Sequence, residues 1–193
     1  MIKVVLLGAS GGMGSEVKKL LEPNYTTVTI DRGDIDLALG DSVQINQVLS
    51  LHTPDIIINC AGVFGDNNID YDSIFNVNVK TNWNILNYYK ENPPEKQIKL
   101  IVVGSSSYVS GRKNYILYAA SKAALHNIYE GALEFFAGTN LIIGLVHPRK
   151  TNTKMLDPLG DIDRSDCLDP KYVAKEIINF VESMQTSSYI NIN

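Results

Sequence analysis

Leu7-Gly8-Ala9-Ser10-Gly11-Gly12-Met13-Gly14 follows the apolar run Ile2–Leu7 and leads into a stretch with helical spacing. A strand, a glycine-rich turn and a helix in that order form a seat for a pyrophosphate. The glycines let backbone approach the phosphates, and the helix start offers free N–H groups and a positive dipole end. Two spacings coexist here: Gly8-x-x-Gly11-x-x-Gly14 and Gly8-x-x-x-Gly12-x-Gly14. Each describes a dinucleotide-cradling loop in a different kind of enzyme. The loop alone does not choose between them, and an ordinary tight turn also fits.

Outward from the loop, short apolar runs alternate with longer helix-like segments. Ile2–Leu7, Thr27–Ile30, Asp55–Asn59, Lys99–Val103 and Leu141–Val146 read as strands buried on both faces. Gly14–Leu21, Ser42–Leu51, Tyr71–Lys90, Tyr118–Phe136 and Pro170–Ser183 read as helices, and Ser188–Asn193 alternates like a closing strand. This order predicts an α/β fold, a doubly wound parallel sheet of the Rossmann type, in one domain over residues 1–193.

The chain has 193 residues, 45% hydrophobic and 20% charged, with a net charge of -4 and no basic run. That balance suits one sizeable core and disfavours nucleic acid, whose phosphates require clustered Lys and Arg. Cys60 and Cys167 make no disulfide framework, no signal peptide is evident, and no apolar run is long enough to span a bilayer. A cytoplasmic protein without membrane or nucleic-acid partners is expected. His52, His126 and His147 show no metal-ligand spacing, so no metal is expected and the histidines read as packing or surface residues.

The second strand ends at Asp31-Arg32. An acidic residue there accepts hydrogen bonds from ribose hydroxyls and repels a 2′-phosphate, which favours NAD. Arg32 keeps NADP open, since its guanidinium suits a phosphate. Further on, Tyr118-Ala-Ala-Ser-Lys122 places a phenol and an ammonium on one helix face. A cation held beside a phenol lowers its pKa and yields a usable general acid/base. The strand ending at Val103 opens into Gly104-Ser105-Ser106-Ser107, where a hydroxyl can hold a substrate oxygen.

Taken in order, these residues resemble the short-chain dehydrogenase/reductase family over nearly the whole chain. Gly8…Gly12-x-Gly14 matches its glycine loop, so Gly8, Ser10, Gly11, Gly12, Met13 and Gly14 become cofactor contacts. Asp36-Leu37 resembles the family's adenine-contacting pair, and Asn59-Cys60-Ala61-Gly62 its Asn-x-Ala-Gly turn. Phe75-Asn-Val-Asn78-Val resembles the segment carrying the catalytic asparagine, here Asn78, which anchors a water relay to the lysine through its backbone carbonyl. The serine maps to Ser105, thirteen residues before Tyr118, with Ser106 as fallback. Tyr118 takes the acid/base role; Lys122 binds the ribose and lowers the phenol's pKa. Pro148, Thr151 and Thr153 resemble the segment that holds the nicotinamide.

The resemblance implies an NAD(P)-dependent oxidoreductase acting on a small alcohol/carbonyl pair, assembled as a homodimer or homotetramer. Trp83, Tyr88 and Tyr89 lie on a helix that commonly joins the subunits in this family. A non-catalytic dinucleotide-binding regulator, or a sugar-nucleotide reductase/epimerase, is the alternative. Against the latter, only 40 residues follow Thr153, too few for the substrate domain of that branch. Three features depart from the family pattern. Leu7 stands where a threonine is usual. Arg149 replaces the usual glycine after Pro148, either to bind an anionic substrate group or to face solvent. Asp36 follows Asp31 so closely that the helix joining the family's second and third strands is expected to be absent, and the lid between Thr153 and Pro170 is short.

Overall fold

The computed structural model describes residues 1–65 and 70–193. Six strands, β1 (Lys3–Leu7), β2 (Thr26–Ile30), β3 (Ile56–Asn59), β4 (Ile98–Val103), β5 (Leu141–Pro148) and β6 (Ser188–Ile192), pair in parallel in the order β2-β1-β3-β4-β5-β6. The helices are α1 (Gly12–Leu21), α2 (Ser42–His52), α3 (Tyr71–Phe75), α4 (Thr81–Glu91), α5 (Ile116–Phe135) and α6 (Pro170–Ser183). Every residue of β3 and β5 is buried, which explains their unbroken apolar sequences, whereas β6 at the sheet edge alternates.

Alternation along each central strand sends side chains to two cores. Val5, Leu7, Ile57, Leu100 and Val102 meet Ile45 and Leu49 of α2, Ile85 of α4, and Leu125 and Tyr129 of α5. Val4, Leu6, Ile58, Ile101 and Val103 meet Val17 and Leu21 of α1, and Val173, Ile177 and Val181 of α6. A sheet covered on both faces is the doubly wound arrangement that the alternation of elements predicts. Because β2 and β3 flank β1 on opposite sides, the carboxyl ends of β1 and β3 open a crevice at the point where the winding reverses.

Several boundaries differ from the sequence reading. The segment predicted as one helix over Tyr71–Lys90 is α3, a π-helical turn over Asn76–Lys80, and α4 in succession. Wide turns of this kind arise where the helix ladder yields to another constraint, and they recur at functional sites. After β2 the chain makes a turn closed on the Asp31 carbonyl and a 3₁₀ turn over Leu37–Leu39, then enters α2. Among the described residues no helix longer than that 3₁₀ turn stands between β2 and α2, and β2 is an edge of the sheet. A further 3₁₀ turn, Lys154–Leu159, forms the short lid. Among the described residues no helix is long and apolar enough to cross a membrane.

The Tyr129 hydroxyl is buried in the first core with no hydrogen-bond partner among the described residues. An unsatisfied buried hydroxyl carries a desolvation cost, so Tyr129→Phe is expected to raise unfolding stability by about 1 kcal/mol. Urea denaturation followed by circular dichroism checks this; a lower midpoint than the parent protein would contradict it.

Candidate active site

The glycine loop is shaped by contacts with distant chain. Gly8 has φ 76° and donates its N–H to the Ile30 carbonyl at 2.9 Å. A Cβ there would lie 2.7 Å from the Ala61 amide nitrogen, so the loop rests directly on the Asn59–Gly62 turn. A Cβ on Gly14 would collide with the Gly8 carbonyl oxygen, and one on Gly12 would lie 2.6 Å from Thr153 Cβ. A Cβ on Gly11 meets only the Gly8 oxygen, at 3.3 Å. Close packing therefore selects Gly8-x-x-x-Gly12-x-Gly14. Gly11 also caps α1 with no side-chain hydrogen bond, which leaves the first-turn amides for an anion.

A cleft of about 770 Å³ runs from this loop, through Ser10, Met13, Asp31, Arg32, Asp36 and Leu37, to Ala61, Gly62 and Thr153. Asp31 Oδ1 accepts from both the backbone N–H and the hydroxyl of Ser10, each at 2.8 Å, which fixes the carboxylate at the end of β2. Arg32 shares that wall. Asp36 Oδ1 accepts from Ala38 N–H at 3.0 Å and so caps the 3₁₀ turn that presents Leu37. Ile35, Ala38, Val63 and Met155 complete the wall without a motif to mark them in the sequence.

Of the expected cofactor contacts, Asn59 and Lys122 are buried and line neither this cleft nor the cavity beside it; Asn59 lies behind the cleft wall. Its Oδ1 accepts from Ala61 N–H at 3.0 Å and its Nδ2 donates to Asn82 Oδ1 at 2.8 Å. Asn82 Nδ2 donates to the Asn78 carbonyl at 3.0 Å, the same carbonyl that the resemblance assigns to a water relay. Asn78 clasps Val63 through both backbone groups, at 2.8 and 2.9 Å, and donates to Ser121 Oγ at 2.9 Å. Ser121 in turn donates to the Tyr118 carbonyl at 2.7 Å. One chain of hydrogen bonds thus runs from the Asn-x-Ala-Gly turn through the π-helical segment to α5.

A second cavity of about 280 Å³ adjoins the first and shares Met13, Thr153 and Met155 with it. Ser105, Ser106, Tyr118, Pro148, Arg149 and Thr151 line it. The Ser105 hydroxyl accepts from Ser107 N–H at 3.1 Å and is near enough to Tyr118 to pull the phenol's pKa down, which distinguishes Ser105 from Ser106. Phe64, 4.7 Å from Tyr118 between ring centroids, and Tyr115 enclose the phenol. Thr151 turns its hydroxyl onto the Arg149 carbonyl at 2.9 Å.

Burial governs the titrating groups. Tyr118 is pushed up to about 12 by burial, against a smaller downward pull from the Ser105 hydrogen bond and a further rise from Tyr115. Lys122 is pushed down to about 8, again by burial, with Cys60 opposing. Its Nζ donates to the Val103 carbonyl at 3.1 Å and lies 5.7 Å from the Tyr118 ring centroid. The lowered phenol pKa expected from the neighbouring ammonium is therefore corrected: desolvation of the phenolate raises it, and Lys122 is not among the groups that shift it.

His126 and His147 form a pair that spacing did not reveal, since they come from α5 and β5. Ser105 N–H donates to His147 Nδ1 at 3.2 Å, which puts the imidazole proton on Nε2, 3.0 Å from His126 Nδ1. His126 then turns its Nε2 toward Glu130 Oε1, 3.4 Å away. Tyr108 stacks on His147 at 4.1 Å between ring centroids. The pair backs the Ser105 turn. Among the described residues, no group of three or more His, Cys, Asp or Glu is disposed to hold a metal ion.

The profile of the NAD dependent epimerase/dehydratase family matches residues 4–147. The chain is 27% identical, over 98% of its length, to the bifunctional ribulose 5-phosphate reductase/CDP-ribitol pyrophosphorylase of Haemophilus influenzae, of which it spans 42%. It is 26% identical to an uncharacterized oxidoreductase of Staphylococcus saprophyticus, covering 100% of this chain and 84% of that one. A short chain dehydrogenase of Shigella flexneri complexed with NADP superposes with a TM-score of 0.85 at 17% identity, over 99% of this chain and 96% of that one.

Two predictions follow from the packing and the buried imidazole. Gly11→Ala should retain NADH affinity, while Gly12→Ala and Gly14→Ala weaken it at least roughly tenfold in a fluorescence titration; a larger loss at Gly11 would contradict the packing. His147 is pushed from 6.5 down to about 4 by burial and by His126, so the folded protein resists a proton that the unfolded chain accepts. Stability is full above about pH 6.5 and falls as the pH drops from 6.5 toward 4. Thermal melting across that range should show the fall, and His147→Asn, whose amide oxygen replaces the Nδ1 acceptor, should flatten it.

Proposed function

Because this chain belongs to the NAD dependent epimerase/dehydratase family, we propose that it is an NAD(P)-dependent oxidoreductase of the short-chain dehydrogenase/reductase type, acting on a small alcohol/carbonyl pair. The observation that carries the reading is the meeting of Ser105 and Tyr118 in the wall of the small cavity, with Lys122 one helical turn further on. The residues fit a dinucleotide on physical grounds: Gly8 and Gly14 leave backbone bare, α1 presents uncapped amides, and Asp31 is held ready as an acceptor. When bound, the nicotinamide supplies the hydride exchanged with the substrate carbon.

The protein's own residues then manage the proton. Tyr118, neutral over the whole physiological range, donates its proton to a carbonyl oxygen that is becoming an alkoxide. Ser105 donates to the same oxygen and holds it against the phenol. Lys122, on the opposite side of Tyr118, offsets the charge left on the phenolate and offers donors to a ribose. The raised pKa keeps Tyr118 protonated, and it also makes the phenol a weaker acid than a free tyrosine. Asn78 acts by position, because its amide holds Val63 and Ser121 in register.

Gly8, Gly11, Gly12 and Gly14 hold the pyrophosphate in this reading, Asp31 the adenosine ribose, and Leu37 the adenine. Thr153 faces the nicotinamide where the two cavities meet. Asp31 favours NAD, and Arg32 beside it leaves NADP as the other choice. The reading extends to a cytoplasmic protein in which free Cys60 and Cys167 stay reduced. It also extends to a homodimer through α4 and α5, supported by the exposed Trp83 and Phe135 on those helices.

Tyr118→Phe should lower turnover of a reducible carbonyl compound by about 10²- to 10⁴-fold, the usual worth of general acid catalysis, while NADH still binds. Steady-state kinetics beside a fluorescence titration with NADH and NADPH measures both. Full turnover in the variant would overturn the assignment, and a clear preference for NADPH would transfer the ribose-recognition role from Asp31 to Arg32.

A further inference from the structure

The small cavity beside Tyr118 differs in charge from the rest of the molecule. The chain as a whole carries a net charge of -4, yet this cavity is lined by Arg112, Arg149 and Lys150 and, among the described residues, by no Asp or Glu. Its remaining wall is hydroxyl groups, backbone and apolar lid residues such as Leu156 and Leu159.

Among the described residues none of the three cations makes an ion pair, and each donates to a neutral oxygen. Arg149 Nη2 donates to the Asp166 backbone carbonyl at 3.2 Å, Lys150 Nζ to the Asp163 backbone carbonyl at 2.9 Å, and Arg112 Nη1 to Ser110 Oγ at 2.8 Å. The Asp163 carboxylate lies near enough to Lys150 to feel its charge, yet makes no ion pair with it within 4.0 Å. Like charges gathered at one mouth repel one another, and low-dielectric walls focus their field into the opening. Such a cavity draws in an anion. Arg and Lys together offer donors that match the oxygens of a phosphate or a carboxylate.

The anion in question is not the dinucleotide's pyrophosphate. The glycine loop and Arg32 belong to the larger cleft, whereas Arg112, Arg149 and Lys150 line only the smaller one. Volume points the same way, since about 280 Å³ lies at the lower limit for ligand sites and admits only a small molecule. Building on the oxidoreductase reading above, we propose that the substrate is a short carbonyl compound carrying a phosphate or carboxylate, with that group held by Arg112, Arg149 and Lys150 and its carbonyl facing Ser105 and Tyr118.

Two measurements on the full chain saturated with NADH test this, so that the glycine loop is already filled. The first is calorimetric titration with inorganic phosphate and, separately, with acetate. The second compares the reduction of dihydroxyacetone phosphate, acetoacetate and uncharged dihydroxyacetone. Wild-type protein should bind at least one of the two anions, and Arg149→Gln/Lys150→Gln and Arg112→Gln should weaken that binding roughly ten- to a hundredfold, the worth of charge-assisted hydrogen bonds. KM for the anionic carbonyl compound should rise by a similar factor while NADH affinity stays unchanged. Tighter binding of phosphate than acetate assigns a phosphorylated substrate, and the reverse assigns a carboxylate; either supports the proposal. Binding of neither anion, or equal binding by parent and variants, overturns it whatever the reductase assay shows. Anion binding that depends on the cations, without reduction of any carbonyl compound, upholds the anion subsite and overturns the oxidoreductase reading instead.

Discussion

The amide of Asn78 is the constraint on which the candidate site depends. It is buried in a π-helical turn and engages its oxygen and both amide N–H groups in one place: Oδ1 on Val63 N–H, Nδ2 on the Val63 carbonyl and on Ser121. Ser121 passes the connection to the backbone of Tyr118, and Asn82 passes it to Asn59 and thence to the turn before Gly62. Three segments that carry chemistry are thereby locked to one another. Buried polar groups of this kind hold position because any displacement leaves a donor or acceptor unpaired. The widened helical turn is the local consequence, for the ladder gives way so that Asn78 can face Val63 and Asn82 can reach its carbonyl.

Around that frame, desolvation sets the protonation states. Tyr118 is raised, while Lys122 and His147 are lowered, each chiefly by burial. All three shifts favour the neutral form, as a low-dielectric surrounding dictates. The aromatic rings of Phe64, Tyr115 and Tyr108 provide that surrounding. The phenol is thereby kept neutral beside Ser105 in the wall of the small cavity. Behind it, His147 is kept neutral with a lone pair on Nδ1, the one form that can accept the Ser105 amide. The serine turn is thus seated on an imidazole whose tautomer the Ser105 amide sets and whose Nε2 faces His126 Nδ1. A Cβ on Gly104 would lie 2.5 Å from that Nδ1, which shows how tightly the seat is built.

The two cavities divide the labour by charge. The larger cleft offers backbone amides and a fixed carboxylate, suited to a dinucleotide's phosphates and ribose. The smaller offers three cations and hydroxyls beside the phenol. Thr153 and Met155 stand at their junction, and the methyl of Thr153 fills the space that a bare Gly12 leaves. Arg149, the residue that departs from the family pattern after Pro148, lies on the smaller side.

Residue order by itself determined the alternation of buried strands and helices, the glycine seat after β1, the acidic residue ending β2, and the serine, tyrosine and lysine. These are local matters of periodicity, turn chemistry and spacing along one helix, and they need no knowledge of distant chain. Tertiary structure supplied the physical reason for the spacing Gly8-x-x-x-Gly12-x-Gly14 that the motifs further along the chain favoured, because Gly12 is constrained by Thr153 and Gly8 by Ala61. It turned Asn59 from an expected cofactor contact into a brace, drew His126 and His147 together, and enclosed Tyr118 with Phe64. It also reversed the expected shift of the phenol. Each of these outcomes rests on contact or burial between residues far apart in sequence, and burial belongs to the packed molecule rather than to any stretch of it.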